Sequence, residues 1–401
     1  MKDAYIYDSI RTPRGKGKSS GALYQIKPVD LLVTALHALQ ERNQLQTEHV
    51  SDAIVGCVSP VGGQGYNIAK TALLYSDWSN RVGGMQLNRF CTSGLEAINL
   101  AAVKITAGHG DLIVAGGVES MSRVPLRSDG GALINDPEVI NKVKYLPQGV
   151  AADLIASLEG FSRKQLDEYA LASHQKAKNA WEKGFFKNSI IPVADQNGLV
   201  VLDKDEHIRP DADLESLMQL IPSFEFAGEL GYKNMAQQTY PELERLEYLH
   251  TAGNSSGMVD GAALVLIGSE ETGKALNLKP RAKIHNFALA GGEPTIMLTG
   301  TIPASQKALE RANMTAKDID LWECNEAFAS VVLKFQKEMK IDANKINVNG
   351  GSIAMGHPLG ATGAILIGTL LDELERRDLK TGLATLCAGG GMGIATIIER
   401  V

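Results

Sequence analysis

The clearest signal along the chain is an alternation between short apolar runs and segments with helical periodicity. Residues 38–57, with the sequence ALQERNQLQTEHVSDAIVGC, predict the end of a helix, a short link and a strand. Residues 308–325, with the sequence ALERANMTAKDIDLWECN, predict the same series. Such strands and helices are typical of an α/β fold with a largely parallel sheet, and their recurrence indicates an internal duplication.

A strand that leads directly into a helix is predicted at a corresponding point of each half. In the first half, residues 85–90 alternate apolar and polar side chains as a strand does, and helical spacing begins after Cys91. Thr92 and Ser93 are candidate caps for that helix, and Gly94 allows a tight turn. The sequence therefore predicts that one thiol stands at a sharp turn between a strand and a helix.

In the second half, the matching series is a strand at residues 346–349, the glycine-rich run GGSIAMGHPLGATG and an apolar helix at residues 364–374. A further apolar strand is predicted after each helix, at residues 112–115 and at residues 383–386. Because the order of elements is the same in both halves, the pattern supports the duplication.

The segment between the halves has a different character. It contains charged helical stretches, such as residues 162–184, and loop-rich runs with little periodicity. We expect an inserted domain at residues 121–250. The predicted division is a first half at residues 1–120 plus about 251–270, this insertion, and a second half at residues 271–401.

Length and composition narrow the class of protein. A chain of 401 residues is too long for one ordinary core, and 44% apolar with 21% charged residues is typical of a soluble globular protein. The formal charge of −6 argues against a nucleic-acid or anionic-membrane surface. The sequence lacks a secretory signal and an apolar run of roughly 18 residues, so we expect a cytoplasmic protein without a membrane span.

The cysteines and histidines do not form a metal-binding pattern. The four cysteines show no C-x-x-C pair, which argues against a disulfide framework or a zinc site, and the eight histidines show no ligand-like spacing. No metal is therefore expected. Free thiols in a reducing compartment are either inert core residues or reactive groups, and the surrounding sequence helps to distinguish the two.

The position of Cys91 at a predicted turn between a strand and a helix favours a reactive thiol over an inert one. The first amides of a helix point outward, and this positive end is expected to lower the pKa of a thiol while the turn exposes it. At the counterpart position of the second half, His357 lies between Gly356 and Pro358, where a core histidine is not expected. Its imidazole could take the proton of the thiol, although a merely solvated loop histidine is the alternative.

Other strand ends carry further candidates. Cys387 ends a long apolar strand and is either a second reactive thiol or a small buried hydrophobe. The glycines at 389–391 expose backbone amides, as the stabilisation of an oxyanion requires. A dinucleotide-binding loop is a weak alternative, because such a loop must open a helix and only a strand-like segment follows. Asn325 follows another strand and is either a site residue or a helix cap.

A series of motifs along the full chain resembles the thiolase family of acetyl-CoA acyltransferases and acetyltransferases. In family order they are IRTPRGK, NRFCTSGLEA, AGGVESMS, TAGNSSGMVDGAA, NEAFA, GHPLGATG and CAGGGMG. The resemblance implies an α/β fold of two similar halves in a duplicated, five-layered αβαβα core, with an inserted loop domain that holds coenzyme A. It also implies a thiolase that transfers an acyl group between a cysteine and coenzyme A, cleaving 3-ketoacyl-CoA or running the reverse condensation.

The resemblance carries roles to individual residues. Cys91 matches the nucleophile that becomes acylated, and His357 matches the base that activates it. Cys387 matches the acid and base at the α-carbon of the acetyl-CoA unit. Asn325 matches the residue that holds a water, which forms one oxyanion hole with His357. The amides of Cys91 and Gly389 match the other oxyanion hole.

The resemblance also implies the ligands. Ser256 and Arg209 match positions that contact coenzyme A, although a solvated charge is the alternative for Arg209. Acyl-CoA and coenzyme A are the expected partners, coenzyme A is a substrate, and no permanently bound cofactor is implied. The family is at least dimeric, so we expect a homodimer or homotetramer.

The sequence departs from short-chain biosynthetic thiolases in three places. Residues 123–149 form a shorter stretch, which puts the loop that joins dimers into tetramers in doubt. The run Pro147-Gln148-Gly149 stands where many members have a methionine–glycine pair that lines the acyl pocket. Residues 226–250 form a longer stretch, so acyl-chain specificity cannot be carried over. The run NRFC is more similar to degradative 3-ketoacyl-CoA thiolases.

Three other functions remain open at this stage. One is a short-chain biosynthetic acetoacetyl-CoA thiolase. Another is a decarboxylating condensing enzyme, which generally places two histidines, or histidine and asparagine, beside its cysteine, whereas a second cysteine occupies the last motif here. The third is an acyl-CoA- or lipid-binding protein without turnover, which the presence of every chemical position argues against.

Overall fold

The structure, a computed structural model, describes residues 2–401 and contains twelve strands and fifteen α-helices. The strands are β1 Ala4–Arg11, β2 Gly15–Lys16, β3 Asp52–Gly56, β4 Gly83–Leu87, β5 Leu112–Ser120, β6 Val193–Ala194, β7 Val200–Leu202, β8 Val259–Ser269, β9 Ala282–Gly291, β10 Leu321–Cys324, β11 Thr381–Ala388 and β12 Met392–Arg400. The helices are α1 Pro28–Arg42, α2 Ile68–Tyr75, α3 Ser93–Thr106, α4 Ala132–Asn135, α5 Pro137–Val143, α6 Gln148–Glu159, α7 Arg163–Glu182, α8 Leu214–Met218, α9 Glu225–Ala227, α10 Lys233–Thr239, α11 Glu270–Ala275, α12 Thr301–Ala312, α13 Ala329–Met339, α14 Ser352–Met355 and α15 Thr362–Arg376.

The strands repeat one topology in the two halves. The first half has the order β4-β3-β5-β8-β1, and the second has the order β10-β11-β12-β9. In each half one strand, β8 or β12, runs antiparallel to the others. The pairs Tyr5 with Lys283 and Ile6 with Ala282 join β1 to β9. The predicted duplicated core is confirmed, but the sheet is mixed rather than largely parallel: three strand pairs are parallel and six are antiparallel.

The helices complete five layers. Helices α1 and α2 cover the outer face of the first half, and α12 and α13 cover that of the second half. Helices α3 and α15 lie between the two halves of this ten-stranded sheet, where they contribute to a shared cluster of apolar side chains. A helix that contacts a sheet on each side must be apolar over most of its surface, as α15 is.

The insertion between β5 and β8 contains helices α4 to α10 and the hairpin of β6 and β7. Its longest helix, α7, is capped by Ser162 in a capping box: the Ser162 hydroxyl oxygen accepts the Gln165 amide, and the Gln165 side-chain oxygen accepts the Ser162 amide. Strand β8 returns the chain to the first sheet between β5 and β1. The exact division into three domains stays a prediction.

The strand predicted at residues 346–349 is wrong. These residues form a turn with a single bridge, from Ile346 to Trp322. Asn347 has φ of 45° and inserts its side-chain amide where a strand partner would bond: its Oδ1 accepts the Cys324 amide and its Nδ2 donates to the Cys324 carbonyl, both at 2.9 Å. Backbone pairing is therefore limited to Trp322, and at Cys324 one side chain takes its place, which periodicity cannot reveal.

Closely packed glycines join the central helices. A Cβ on Gly94, at the start of α3, would lie 2.5 Å from the carbonyl oxygen of Gly360, and a Cβ on Gly363 of α15 would overlap the backbone of Leu95. On the adjoining strand β5, a Cβ on Gly117 would overlap the same Gly360 carbonyl. Only glycine permits this approach, which places the loop before α15 against the start of α3.

Gly117→Ala should therefore destabilise the protein, because its methyl group would overlap the backbone of Gly360. We expect a loss of about 3 kcal/mol or more in the free energy of unfolding. Gly291→Ala is the matched control, since a Cβ there meets no atom within 4 Å, and it should change stability by less than about 0.5 kcal/mol. Urea titration monitored by circular dichroism measures both, and equal midpoints would refute the packing argument.

Candidate active site

Cys91 lies in the tight turn between β4 and α3. The preceding residue, Phe90, has φ of 48°, and its amide donates to the Asn88 Oδ1 at 2.8 Å. Thr92 occupies the N-cap position but makes no side-chain cap bond, because its hydroxyl donates to the Arg89 carbonyl at 2.6 Å. The predicted sharp turn between strand and helix, here called the elbow, is present. The expected side-chain cap is wrong. The expected glycine turn is also wrong, because the residue with left-handed backbone conformation is Phe90 and not Gly94.

The Cys91 thiol is buried rather than exposed. Its residue is 7% exposed and packs with Val58, Met121 and Leu359. Burial raises the pKa of the thiol to about 11, against hydrogen bonds from the Gln148 side chain and from the Cys91 amide that favour the thiolate. The expectation of a lowered pKa is therefore wrong, because loss of solvent outweighs the helix end. The resting group is a protonated thiol.

Hydrogen bonds fix the tautomer of His357. Its Nδ1 lies 2.6 Å from the Thr362 Oγ1, and the Thr362 hydroxyl lies 2.9 Å from the Pro358 carbonyl oxygen. Since that hydroxyl has one proton and the carbonyl can only accept it, the Thr362 oxygen must accept from Nδ1–H. The lone pair of the neutral imidazole is therefore on Nε2.

Asn325 lies at this Nε2 and is oriented from behind. Its Nδ2 is 3.3 Å from the His357 Nε2, and its Oδ1 accepts the Ser352 hydroxyl at 2.6 Å. Because the Oδ1 is occupied by a donor, the amide nitrogen must face the imidazole. The asparagine backbone is held as well, since its amide bonds to the Thr385 carbonyl at 3.0 Å, next to the strand end that carries Cys387.

The electrostatic surroundings keep His357 neutral. Burial, with a smaller contribution from the charge of Arg14, lowers the pKa of His357 to about 3. Arg14 is itself buried and donates to the Gly356 carbonyl at 3.0 Å. It is paired with Asp205, which Arg11 also contacts through two bonds of 2.8 and 2.9 Å. At neutral pH the imidazole is therefore a free base.

Cys387 and Gly389 complete the same region. Cys387 packs with Ala327 and Phe328, just after Asn325 in the chain. Burial, followed by the negative charge that Cys91 would carry, raises the pKa of the Cys387 thiol, so this second cysteine is also protonated. Gly389 begins the turn after β11. A Cβ built there would lie 3.6 Å from the Gln148 Nε2 and 3.7 Å from the Phe90 ring, which places this glycine beside the elbow.

The structure thus gathers all five residues predicted as catalytic at one buried place between the halves: Cys91, His357, Asn325, Cys387 and Gly389.

Glu119 holds the surrounding loops together. Its carboxylate accepts the amides of Val58, Ser59 and Gly360 at 2.9, 3.2 and 3.0 Å. One buried side chain at the end of β5 therefore holds the loop of the second half against the first.

The two residues predicted to contact coenzyme A, Ser256 and Arg209, lie together at a neighbouring cavity. Its volume is about 510 Å³. The lining is Lys16, Gly17, Lys18, His207, Ile208, Arg209, Ala252, Ser256, Gly257 and Met258. The Gly257 carbonyl accepts the His357 amide at 2.8 Å, so the cavity wall continues into the catalytic loop. Burial and then Arg209 lower the pKa of His207 to about 4, which leaves the lysines and arginine as the cavity's cations.

Several residues of this site were missed by the sequence analysis. Thr362 and Arg14 lie inside quoted motifs, GHPLGATG and IRTPRGK, but nothing in the spacing shows that their side chains turn back to the His357 loop. Lys16 and Lys18 are short-range neighbours of Arg14, and their charge alone could have suggested an anion site. Gln148 was noted as a departure from the family, without a role.

Among residues 2–401, no three histidine, cysteine, aspartate or glutamate side chains come together as a metal ion would require. Within the same range, every helix is too short or too polar to cross a membrane.

Comparison with known proteins identifies the family to which the chain is similar. The thiolase N-terminal domain matches residues 4–239, and the thiolase C-terminal domain matches residues 278–400. Among curated proteins, a 3-ketoacyl-CoA thiolase of Shewanella loihica is 41% identical, and one of Cronobacter sakazakii is 40% identical, each over the full length of both chains. A steroid 3-ketoacyl-CoA thiolase of Mycobacterium tuberculosis is 39% identical over all of this chain and 95% of its own length.

A solved structure shows the same fold. The crystal structure of the Bacillus anthracis acetyl-CoA acetyltransferase is 35% identical, covers 100% of this chain with 99% of its own, and superposes with a TM-score of 0.86. The duplicated fold and these relatives together define an acyltransferase. More particularly, the chain belongs to the thiolase family, as the sequence motifs predicted.

The hydrogen bond from His357 to Thr362 generates a prediction. Thr362→Val removes the hydroxyl at nearly constant size, and Thr362→Ser keeps it as the matched control. Without an acceptor for Nδ1–H, we expect a mixture of tautomers and an acyl-transfer rate about 10- to 100-fold lower, as the loss of a buried hydrogen-bond partner typically gives. Nitrogen-15 NMR of histidine-labelled protein reports the tautomer. A valine variant that keeps both tautomer and rate would contradict the assignment.

Proposed function

We propose that this thiolase cleaves 3-ketoacyl-CoA with coenzyme A, giving acetyl-CoA and a shortened acyl-CoA, and that Cys91 carries the acyl group between the two steps. The observation that supports this most is that the loop of the oriented His357 packs on the buried Cys91 through Leu359, while Cys387 is buried at the neighbouring strand end. The names of the full-length relatives point to the same substrate class. Loss of 3-ketoacyl-CoA absorbance on addition of coenzyme A, over a series of chain lengths, tests it.

The resting protonation states suggest how the first step proceeds. Because the Cys91 thiol is protonated and His357 is neutral, the proton must pass to the His357 Nε2 as the sulfur attacks the 3-keto carbon. The bond between the α-carbon and the 3-keto carbon then breaks, and its electrons stay with the α-carbon. Cys387 donates its proton to that carbon, which releases acetyl-CoA and leaves a thioester on Cys91.

The second step reverses the proton transfers. The thiol of coenzyme A attacks the thioester and passes its proton to Cys387, while His357 returns its proton to the departing sulfur of Cys91. We assign the developing oxyanions to two donor sets: a water held by Asn325 with His357, and the amides of Cys91 and Gly389. The protein groups in these sets, Asn325, His357, Cys91 and Gly389, are all buried, so they need little reorganisation during the reaction.

The degradative direction is our preference over a biosynthetic acetoacetyl-CoA thiolase. The curated relatives at about 40% identity are 3-ketoacyl-CoA thiolases, whereas the acetyl-CoA acetyltransferase structure is 35% identical. The insertion also provides an apolar wall near the thiol. Phe224 packs on Gly149 and lies 5.8 Å, ring to ring, from Phe328, and Tyr145 is buried in the same cluster. We propose that the acyl chain lies against this wall.

Coenzyme A is proposed as a substrate that binds in the cavity of Ser256 and Arg209. Three cations, Lys16, Lys18 and Arg209, line it although the chain has a formal charge of −6. Such a local excess of positive charge fits the phosphates of coenzyme A. A cytoplasmic location and the absence of a permanently bound cofactor stay predictions of the sequence.

We also propose that the protein is at least a homodimer, with β4 at the interface. Within residues 2–401, β4 pairs only with β3 and leaves its other edge open. Three large apolar side chains are also exposed close by: Leu74 and Tyr75 on the adjoining α2, and Tyr66 just before it. An open strand edge and exposed apolar side chains are unfavourable for a monomer in water. Whether dimers associate further into tetramers stays a prediction.

The two cysteines should fail at different steps. Cys91→Ala should abolish both acyl-enzyme formation and thiolysis. Cys387→Ala should still accept an acetyl group from acetyl-CoA, because that half-reaction involves no carbon acid, but should lose about 10²- to 10⁴-fold in carbon–carbon cleavage. Radiolabel bound to denatured protein and deuterium exchange into acetyl-CoA measure the two steps.

Cys324→Ala is the matched control, because Cys324 is equally buried but packs within the outer cluster of the second half. It should take up label and catalyse exchange at native rates. Normal α-proton exchange by Cys387→Ala would show that another group, such as His357, acts on the carbon. Label that persists in Cys91→Ala would remove Cys91 as the nucleophile.

Arg209 should contribute to binding rather than to turnover. Arg209→Ala removes an exposed cation of the cavity, so the KM for coenzyme A should rise about tenfold while kcat stays nearly unchanged. Arg245→Ala, which removes an exposed arginine elsewhere on the insertion, is the control and should have no effect. Steady-state kinetics at varied coenzyme A separates the parameters, and an equal fall in kcat at saturation would exclude the binding role.

A further inference from the structure

Arg14 is a buried cation that the charge of Asp205 does not require. Arg11 already forms a bidentate pair with Asp205, with bonds of 2.8 and 2.9 Å. Arg14 approaches the same carboxylate less closely, at 3.3 and 3.5 Å, and among residues 2–401 it has no other carboxylate within ion-pair distance. Its side chain is only 3% exposed. One positive charge is therefore buried in excess, and such a charge needs a further polar partner.

That partner is the peptide bond that leads into His357. The Arg14 Nη1 donates to the Gly356 carbonyl at 3.0 Å, and its Nη2 lies 3.2 Å from the Met355 sulfur. At the other end of the same peptide bond, the His357 amide donates to the Gly257 carbonyl at 2.8 Å. Both polar groups of one peptide plane are therefore held by residues from outside the histidine loop.

This peptide plane needs support from outside because the residue before His357 is a glycine. Gly356 has φ of 94°, a conformation that glycine adopts without steric cost. A Cβ there would lie 2.2 Å from the Val259 Cγ1, so a residue with a stiffer backbone does not fit. Glycine restricts its own backbone least, and rotation of the plane would displace the His357 imidazole.

We propose that Arg14 is a positioning residue whose guanidinium bridges Asp205 of the insertion and the Gly356 carbonyl, and thereby fixes the peptide plane that carries His357. The proposal rests on the proposed function only in taking His357 as the base for the Cys91 thiol. The benefit is not the charge itself, because a positive charge beside His357 opposes the imidazolium that this proton transfer creates. A guanidinium suits the task since its planar fork bonds two acceptors at once.

The test measures acyl transfer from radiolabelled acetyl-CoA to Cys91 of the full chain, in a single turnover at varied acetyl-CoA. Arg14→Met removes the charge and the donors, whereas Arg14→Lys keeps the charge and replaces the fork by one nitrogen. In both variants we expect the saturated rate to fall about 10- to 100-fold, as the loss of a hydrogen bond from a charged group gives. The half-saturating concentration should stay at the native value, because the change affects the reacting step and not binding.

Arg311→Met and Arg311→Lys are the matched controls. Arg311 also donates to a backbone carbonyl, that of Phe287 at 3.2 Å, but it lies exposed on the outer helix α12. Both control variants should acylate at the native rate. The Arg14 variants should keep the native circular dichroism spectrum, because Asp205 retains its two bonds to Arg11.

A native saturated rate in either Arg14 variant would overturn the proposal. A rise in the half-saturating concentration as large as the fall in rate would also overturn it, since the change would then have spread to the coenzyme A cavity. If the methionine variant lost its circular dichroism spectrum, the lysine variant, which keeps the buried charge, would decide the question alone. Peptide mapping separates the proposed function: a native chain that takes up no label on Cys91 refutes that function and not the role of Arg14.

Discussion

The contact between the starts of α3 and α15 is the constraint on which the rest of the structure depends. Gly94 and Gly363 lie in these two first turns, and the Gly360 carbonyl fits where a Cβ on Gly94 or Gly117 would stand. Without side chains at these points, the loop before α15 approaches the strand ends of the first half. The elbow of one half and the histidine loop of the other consequently share one space, although they are more than 260 residues apart in the chain.

The same close approach determines the electrostatics. Because the two loops exclude water, burial dominates the pKa of each reactive group: both thiols are held protonated and His357 is held neutral. Two further buried contacts surround these groups: Arg14 is paired with Asp205, and the Glu119 carboxyl group accepts backbone amides. Burying the neutral Cys91 thiol and the neutral His357 imidazole costs little desolvation free energy. The proton therefore moves from the thiol to the imidazole only when the sulfur can bond to a substrate.

Most of the fold could be predicted from the sequence, but the hydrogen bonding and the pKa values of the site could not. Local periodicity predicted the elements around residues 38–57 and 308–325, because one buried face imposes a repeat that the residues themselves display. It failed at residues 346–349, where the Asn347 side chain replaces a strand partner, and at Thr92, whose hydroxyl bonds backward. The thiol pKa was also wrong, because the position of a helix end is visible in sequence whereas the loss of solvent is a property of the assembled layers.

The insertion supports the site as well as covering it. Asp205 lies in the insertion and pairs with Arg11 and Arg14, and Arg14 in turn holds the Gly356 carbonyl beside His357. On the other side, Tyr169 and Ser173 of α7 donate to the Glu326 carboxylate at 2.9 and 2.7 Å, next to Asn325. Both of these buried networks end one residue from a site residue. A shift of the insertion relative to the core would therefore displace the histidine loop and the asparagine together, so the geometry at Nε2 depends on all three parts of the chain.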